Sequence, residues 1–483
     1  MTTRTGSSGT EQAWLVAAGP DLQTTDGRPV TLRGVGVGGW MNMENFITGY
    51  PATETLQRSA LRSVLGEAAC RRFSGRLLAD FWADADAALV ASLGMNSVRL
   101  PVNYRHLEDD VAPFELREDG FQLLDRAVDT CRRHSLYSII DLHALPGAQN
   151  QHWHSDNPTH WAFFWDHPHF QDRVVALWQA IARRYRDNPW VAGYNLINEP
   201  ADPSGQKLWP FYRRLRDAVR DVDPRHLLFL DGDRYGTDFG VFREVWPDTV
   251  YACHDYALPG FADGGPYPGI SRGRYVDTAV VEETFLARSQ FMRERDVPVW
   301  VGEFGPVYTG DPGRDAMRYD LLSDQLAVYG KHGAGWSLWT YKDIGLQGLV
   351  HAKQSSAYMQ RIQPILAAKR RLGSDAWGTV GDELPEVMGP IRDVFDREFP
   401  GFDPYPFGRD QWIDTLVKHI LFAEPLVGRF ARCFEGATDT ELAECARSFA
   451  LAHCDRREPL LRILRLACGG DSAVGQREAH RSR

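Results

Sequence analysis

Residues 137–143 read YSIIDLH and residues 191–197 read VAGYNLI, two short apolar runs on either side of an amphipathic stretch at 170–187. A continuous apolar run of this length is typical of a strand buried on both faces, and the amphipathic stretch is typical of a helix covering such a sheet. The three segments therefore predict a βαβ unit, in which two parallel strands are joined by a right-handed helical crossover.

The same alternation extends in both directions along the chain. Runs typical of strands lie at 33–38, 96–102, 137–143, 191–197, 227–231, 250–256, 298–303 and 334–340. Helical patterns lie between them at 121–134, 170–187, 207–221, 280–295 and 314–332, with a weaker one at 239–246. Eight strands alternating with helices predict an α/β fold of the (β/α)8 type, a closed TIM barrel.

Both ends of the chain depart from this repeat. Residues 1–11 are polar and rich in Ser, Thr and Gly, which predicts a disordered tail. The predicted barrel occupies residues 12–371. Residues 372–483 begin with a linker-like stretch and continue with helical patterns, which predict a C-terminal helical extension.

The charge balance restricts the possible partners. The 483 residues carry 54 Lys and Arg against 64 Asp and Glu, a net charge of −10, which argues against nucleic acid and anionic membrane surfaces. No run of 18 apolar residues suggests a membrane span, and the N-terminal residues lack the apolar segment of a secretory signal. Seven cysteines without CxxC spacing favour reduced thiols and a cytoplasmic location. These features leave the oligomeric state open.

Polar and ionisable residues stand where the predicted strands end. In a (β/α)8 barrel the catalytic groups lie at the carboxyl ends of the strands, so these residues are the candidate site. Along the chain they are Arg99, His143, Asn198, Glu199, His254, Tyr256, Glu303 and Trp339.

Two of these residues are glutamates that directly follow apolar runs, Glu199 after the fourth strand and Glu303 in the seventh. A buried carboxylate is costly unless it is paired or functional. Each could simply cap a loop or pair with an arginine. Two on one rim favour the paired-carboxylate design of glycoside cleavage.

Seven motifs together resemble glycoside hydrolase family 5, over roughly residues 12–370. They are LRGVGVGGW, NSVRLPVNY, IIDLHALPGAQN, YNLINEP, HDY, VWVGEFG and LWTYKD. The resemblance implies a retaining (β/α)8 O-glycosyl hydrolase of the β-glycosidase type that works without a cofactor. It also implies a small oligosaccharide or glycoside as substrate.

The resemblance implies a role for each strand-tip residue. Glu199 is expected to be the general acid/base and Glu303 the nucleophile. Arg99 is expected to hold Glu303 ionised, and Asn198 to bind the 2-hydroxyl of the sugar. The residues expected to line the sugar subsite are His143, His254, Tyr256 and Trp339, the last as its stacking floor.

The loop after the third strand is rich in histidine and tryptophan. A metal site is one interpretation of its histidines, but the loop has neither HExxH nor an i, i+4 histidine pair, so we expect no metal. Sugar contacts are the favoured interpretation, with Trp153 as one of them. By similarity to the exo-acting 1,3-glucanases of the family, Asp156 and Asn157 are expected to help close the pocket.

The segment GGWMNMENF resembles the GGW…LEPF segment of the same exo-enzymes, in which the glutamate contacts the terminal sugar. Glu44 occupies that position, although it could also be an ordinary loop carboxylate. Long loops at 40–58 and 144–168 predict walls that turn an open cleft into a pocket. Five of the fifteen tryptophans are expected to stack on sugar rings there: Trp40, Trp153, Trp161, Trp165 and Trp339.

The favoured function is an exo-acting retaining β-glycosidase for short β-linked oligosaccharides, of the β-mannosidase or β-glucosidase type. The segments GGWMNMENFITGYP and YKDIG look similar to those of intracellular β-mannosidases in the family. The alternatives are an endo-glucanase or an exo-1,3-glucanase. From other classes, a non-catalytic carbohydrate-binding barrel and a metal hydrolase using the histidine loop also stay open.

Overall fold

Eight parallel strands close into a barrel in the computed structural model, which describes residues 12–374 and 384–469. The strands pair in chain order and the last pairs with the first, so the predicted (β/α)8 barrel is confirmed. They are β1 (Arg33–Gly36), β2 (Ser97–Asn103), β3 (Tyr137–Ala144), β4 (Val191–Asn195), β5 (Leu227–Asp231), β6 (Thr249–His254), β7 (Val299–Phe304) and β8 (Gly335–Leu338).

The strands lose their regular register near their carboxyl ends. The pairing shifts between Val102 and Asn103 in β2, and between Cys253 and His254 in β6. It shifts again between Val301 and Phe304 in β7. Such irregularities bend a strand and change where its side chains point, and here they lie where the candidate site residues lie.

Helices surround the barrel at the predicted places. Those that follow β2, β3, β4, β6 and β7 are Glu118–Arg133, Pro168–Tyr185, Leu208–Arg220, Thr278–Arg288 with Gln290–Glu294, and Pro312–Lys331. Those that follow β1 are Asn45–Thr48, Glu54–Leu65, Glu67–Phe81 and Asp84–Ser92. Ala357–Leu372 follows β8.

The connection after β5 is the exception. Residues 239–246 form no helix, so that prediction is wrong, and the only helical turn in this connection is Asp233–Gly236. Aromatic side chains cover the outside of the barrel here instead. Phe242 stacks on Tyr212, and Trp246 stacks on Trp209. These packed rings cover the strands here, as a helix does elsewhere around the barrel.

The residues beyond 384 are helical and pack on the barrel. Their elements are Leu384–Glu398, Gly408–Asp414, the π-helix Thr415–Leu421, Glu424–Arg432, Asp439–Arg447 and Glu458–Gly469. Phe434 and Phe449 belong to the same hydrophobic core as the barrel, and Phe449 stacks on Phe81. Buried Lys342 donates to the carbonyls of both Phe81 and Phe449, which ties the two parts together.

The proposed tail at residues 1–11 lies outside the described residues, as do parts of the proposed extension. Within 12–374 and 384–469, no helix has the length and apolar character of a membrane span. The seven cysteines are free thiols, five of them buried.

Candidate active site

A cavity of about 650 Å³ opens at the carboxyl ends of the strands. This volume lies within the range that small-molecule sites occupy. Eight of the twelve predicted site residues line it: Glu44, His143, Trp153, Glu199, His254, Tyr256, Glu303 and Trp339.

Glu303 ends β7, and each of its carboxylate oxygens has a hydrogen-bond donor. Arg99 lies 2.5 Å from Oε1, and the hydroxyl of Tyr256 donates to Oε2 at 3.0 Å. The Glu303 side chain is only 6% exposed. The two donors therefore hold the carboxylate of Glu303 in one orientation.

Arg99 connects four strands beneath the cavity. Its guanidinium donates to Asn195 at 3.0 Å and to Asn198 at 2.6 Å, and forms an ion pair with Asp141 at 3.0 Å. Arg99 is fully buried; attraction to Asp141 and Glu303 outweighs burial and raises its pKa. Arg99 therefore contacts Glu303 directly and is itself held by Asn195, Asn198 and Asp141.

Glu199 lies just beyond β4 in a left-handed backbone conformation, with φ of 44°. A non-glycine residue pays on the order of 1–2 kcal/mol for this conformation. Two contacts fix it, because the backbone N–H donates to Asp231 at 2.9 Å and Asn150 donates to the backbone carbonyl at 3.0 Å. Asp231 ends β5, and the sequence analysis did not single it out. The sequence feature that could have indicated Asp231 is the aspartate at the end of the apolar run LFLD.

The carboxylate of Glu199 lies between two histidines. His254 Nδ1 lies 2.6 Å from Oε1, and His154 Nε2 lies 3.1 Å from Oε2. Burial acts to raise the pKa of Glu199, but attraction to His254 and hydrogen bonding with both histidines outweigh it and lower the pKa. Burial likewise opposes the charge on His254, yet the attraction of Glu303, Glu199 and Asp231 raises the pKa of that imidazole. These shifts favour a proton on His254 over one on Glu199.

The two glutamates face each other across the cavity. One carboxylate oxygen of Glu199, one of Glu303 and a ring nitrogen of His254 all lie within 4.8 Å of one another. These three groups could also be considered as metal ligands. The Arg99 guanidinium places a positive charge beside Glu303, which disfavours a cation.

The opposite side of the cavity is built around His143. Its Nδ1 lies 2.7 Å from Asp141, and its Nε2 lies 3.4 Å from Glu44. The ring stacks on Trp339 with an angle of 2° between the planes. Burial opposes the charge, but Asp141 and Glu44 outweigh it and raise the pKa of His143 to about 10. Glu44, His143 and Trp339 thus form one ordered surface.

Asp156 and Asn157 do not line the cavity. Asp156 accepts hydrogen bonds from Thr55 and, at 2.9 Å, from Arg105. Asn157 donates to the carbonyl of Asn150 at 2.7 Å. Both side chains hold loop segments together through these bonds. Their part in closing the pocket stays a prediction.

Only some of the five tryptophans predicted to stack on sugar rings line the cavity. Trp153 and Trp339 line the cavity, whereas Trp40, Trp161 and Trp165 do not. Trp40 is buried and donates to a backbone carbonyl, as does Trp165. Trp161 is 65% exposed. The expectation of sugar stacking thus applies to two of the five.

Several residues of the cavity lining were not predicted. The most distant in sequence belong to the C-terminal helical part: Phe407, Gln411 and His419. The connection after β5 contributes Tyr235, while the histidine loop, for which sugar contacts are predicted, contributes His152 and His154. No sequence pattern linked residues 407–419 to the barrel rim, because their approach depends on tertiary packing.

A closed (β/α)8 barrel with two facing glutamates at the ends of β4 and β7 is the architecture of a barrel glycoside hydrolase. The family model for cellulase, glycosyl hydrolase family 5, matches residues 66–345. The chain belongs to this family and is a β-glycoside hydrolase.

Three named relatives are similar to the chain. A protein named beta-xylosidase from Phanerodontia chrysosporium is 42% identical over 467 residues, which cover 94% of this chain and 98% of that protein. Endoglucanase C of Acetivibrio thermocellus is 22% identical over 334 residues, covering 62% and 94%. Probable glucan 1,3-beta-glucosidase A of Neosartorya fischeri is 29% identical over 357 residues, covering 66% and 84%.

Proposed function

We propose that this protein is an exo-acting retaining β-glycosidase that removes a terminal sugar from short β-linked oligosaccharides or glycosides. The observation that carries the proposal is the separation of at most 4.8 Å between facing carboxylate oxygens of Glu199 and Glu303. Retaining glycosidases have carboxyl groups about 5–5.5 Å apart, whereas inverting enzymes need about 6.5–9.5 Å to admit a water.

Glu303 is the proposed nucleophile. Its Oε1 is held by Arg99 and its Oε2 by Tyr256, so the carboxylate has one orientation towards the cavity. In the first step one carboxylate oxygen bonds to the anomeric carbon while the bond to the leaving oxygen breaks. Glu303 then becomes a neutral ester within a glycosyl-enzyme.

Glu199 is the proposed general acid/base and acts together with His254. The proton held by this pair passes to the leaving oxygen in the first step, so the leaving group departs as an alcohol. Once Glu303 is esterified, the negative charge that raised the pKa of His254 is lost, so that pKa falls. The pair is then unprotonated, and Glu199 takes a proton from the water that attacks the anomeric carbon.

The surface of Glu44, His143 and Trp339 is the proposed subsite for the terminal sugar. Trp339 lines the cavity with its ring stacked on His143, and Glu44 and His143 offer hydrogen-bonding groups for hydroxyls. Asn198, held by Arg99, is the proposed partner of the 2-hydroxyl. An exo mode fits this enclosure, because Glu44 and Trp153 come from the loops at 40–58 and 144–168 that form walls of the cavity.

The proposed terminal sugar is β-xylose or β-glucose. The relatives are named for xylosidase, endoglucanase and glucan 1,3-beta-glucosidase activities, and one covers nearly the whole chain. Xylose and glucose both have an equatorial 2-hydroxyl, whereas that of mannose is axial. A β-mannosidase, an endo-glucanase and an exo-1,3-glucanase are the outcomes against which this proposal is tested.

The test uses 4-nitrophenyl β-xyloside, β-glucoside and β-mannoside, followed by β-linked oligosaccharides. We expect monosaccharide release from one end with a β-configured first product by NMR. Glu303→Ala should lose turnover by orders of magnitude and form an α-configured glycosyl azide when azide is added. For Glu199→Gln we expect a loss on the order of 10²–10⁴-fold, smaller when the leaving group is activated.

Several outcomes would overturn the proposal. Unchanged hydrolysis by Glu303→Ala would refute the nucleophile, and an α-configured first product from the wild type would refute retention. Internal cleavage of long chains would indicate an endo-enzyme, and preference for the mannoside would indicate a β-mannosidase. Loss of activity in EDTA would favour a metal hydrolase, and binding without hydrolysis would favour a carbohydrate-binding barrel.

A further inference from the structure

A segment of the C-terminal helical part, residues 405–421, reaches the rim of the cavity. We infer, on the basis of the proposed function, that this segment forms a wall of the leaving-group subsite. We also infer that it selects uncharged leaving groups with a flat apolar face. Its cavity-lining residues are Phe407, Gln411 and His419. All three lie beyond residue 345, where the match to the family model ends.

The segment is anchored to the loops that follow β4 and β5. Tyr405 donates to Asp233 Oδ1 at 2.8 Å, and the same oxygen accepts the backbone N–H of Asp202 at 3.0 Å. The Phe407 ring packs on Tyr235 with 5.0 Å between the ring centres. The space behind these residues is a crevice of only about 10 Å³. The segment is thus fitted closely to the barrel rim.

The segment meets the histidine loop on the other side. The ring of His419 lies edge-on to Trp153 with 3.9 Å between the centres, and lies 5.4 Å from His152. His152 in turn stacks near His154 at 5.8 Å. His154 lies 3.1 Å from Glu199. A continuous row of rings therefore leads from the proposed acid/base to the C-terminal segment.

The row of rings lies on the side of the cavity that the leaving group must occupy. Glu199 must lie beside the leaving oxygen that it protonates, and Glu303 must lie on the opposite face of the terminal sugar. The row begins at the Glu199 oxygen that faces His154, not at Glu303. A leaving group that extends from the protonated oxygen past Glu199 therefore meets His152, Trp153 and His419.

The chemistry of the wall determines what it can bind. Burial lowers the pKa of His152 to about 3 and lowers the pKa of His419 as well, so both imidazoles are neutral at neutral pH. Phe407 and Trp153 add apolar aromatic faces, and the Gln411 amide adds a donor and an acceptor. An aryl group and the apolar face of a second sugar ring share the required chemistry.

The test compares leaving groups on the terminal sugar that the enzyme accepts. We would measure kcat/KM for the methyl glycoside, the phenyl glycoside and the corresponding β-linked disaccharide with Phe407→Ala, Gln411→Ala and His419→Ala. Since kcat/KM reports the first chemical step, we expect selective losses of about 10- to 100-fold for the phenyl glycoside and the disaccharide relative to the methyl glycoside. Loss for the phenyl glycoside alone would identify an aryl subsite, and loss for the disaccharide alone a sugar subsite.

Leu421→Ala is the matched control, because Leu421 lies in the same segment, is 60% exposed and is not part of the cavity lining. Phe407 is 48% exposed, so Phe407→Ala should fold even if His419→Ala does not. Equal losses on all three substrates, or no loss with any variant, would overturn the inference. Failure of the proposed function is separable, since it would appear as undiminished hydrolysis by Glu303→Ala.

Discussion

Replacing Asp231 by asparagine tests whether the conformation of Glu199 matters for turnover. Asp231 Oδ2 accepts the backbone N–H of Glu199, and Oδ1 accepts the amide of Asn195, both at 2.9 Å. An asparagine can keep only one of these bonds, because its own NH2 group would face a donor at the other position. Asn195 cannot rotate its amide to compensate, since its oxygen already accepts from Arg99 at 3.0 Å.

The size of the effect follows from the lost contact. A hydrogen bond to a charged group contributes about 1.5–3 kcal/mol. If the whole contribution of the hydrogen bond from the Glu199 backbone N–H to Asp231 is lost in the transition state, kcat/KM falls by about 10- to 150-fold. The charge of Asp231 also helps to raise the pKa of His254, so its removal lowers that pKa. The alkaline limb of the pH profile should therefore move to lower pH.

The assay is kcat and KM for a 4-nitrophenyl glycoside as a function of pH, with urea unfolding measured in parallel. Asp223→Asn is the control, because Asp223 is also fully buried. Asp223 precedes β5, so it lies at the other end of the barrel, where it contacts Tyr194 and His226. It should reduce stability without moving the pH profile. Wild-type kcat/KM and an unshifted alkaline limb in Asp231→Asn would refute the reasoning.

Three further predictions follow from other contacts. His254→Gln should move the alkaline limb of kcat/KM to lower pH, because Glu199 would lose the partner that keeps the proton; an unmoved limb would contradict the shared proton. Asp156→Asn should lower the free energy of unfolding by about 1–3 kcal/mol, since the ionic hydrogen bond to Arg105 weakens. A larger effect on kcat/KM than on stability would indicate that Asp156 contacts the sugar after all. Lys342→Met should lower the free energy of unfolding by about 3–5 kcal/mol, because buried Asp86 would lose the ammonium 2.7 Å away and keep hydrogen bonds from the neutral donors Tyr341 and the Ala83 backbone N–H. Urea unfolding measures this, and a wild-type midpoint would show that the neutral donors suffice.

The barrel was predictable because its signals are local. Each strand is buried on both faces and so appears as a short apolar run, and each covering helix appears as an amphipathic stretch. The prediction of a helix at 239–246 was wrong because it, too, rested on a local signal. Its aromatic residues give an apolar pattern, but they cover the strands as packed rings without a helical backbone.

The candidate site was partly predictable. Barrel geometry sends residues at strand ends to one rim, so Glu199 and Glu303 could be expected to meet in the cavity. The roles proposed for them stay predictions. Asp231 also ends a strand but was not singled out, because its function is to hold the backbone of another residue and depends on the conformation of Glu199.

Loop positions could not be taken from the sequence. Asp156 sits in a loop whose path is set by the bonds to Thr55 and Arg105, and no local pattern shows those partners. His419 is more than two hundred residues from Glu199 in sequence, and it reaches the cavity through the packing of the C-terminal helices on the barrel.

The sequence by itself determined the eight-stranded barrel and the pair of glutamates at the rim, because these depend on local burial patterns and on the regular geometry of parallel strands. The resemblance of its motifs indicated the family. Only the tertiary structure decided the partners of Glu199 and His254 and the composition of the cavity wall. Both depend on distances between groups far apart in the chain, since hydrogen bonds and pKa shifts act over a few ångströms of space and not along the sequence.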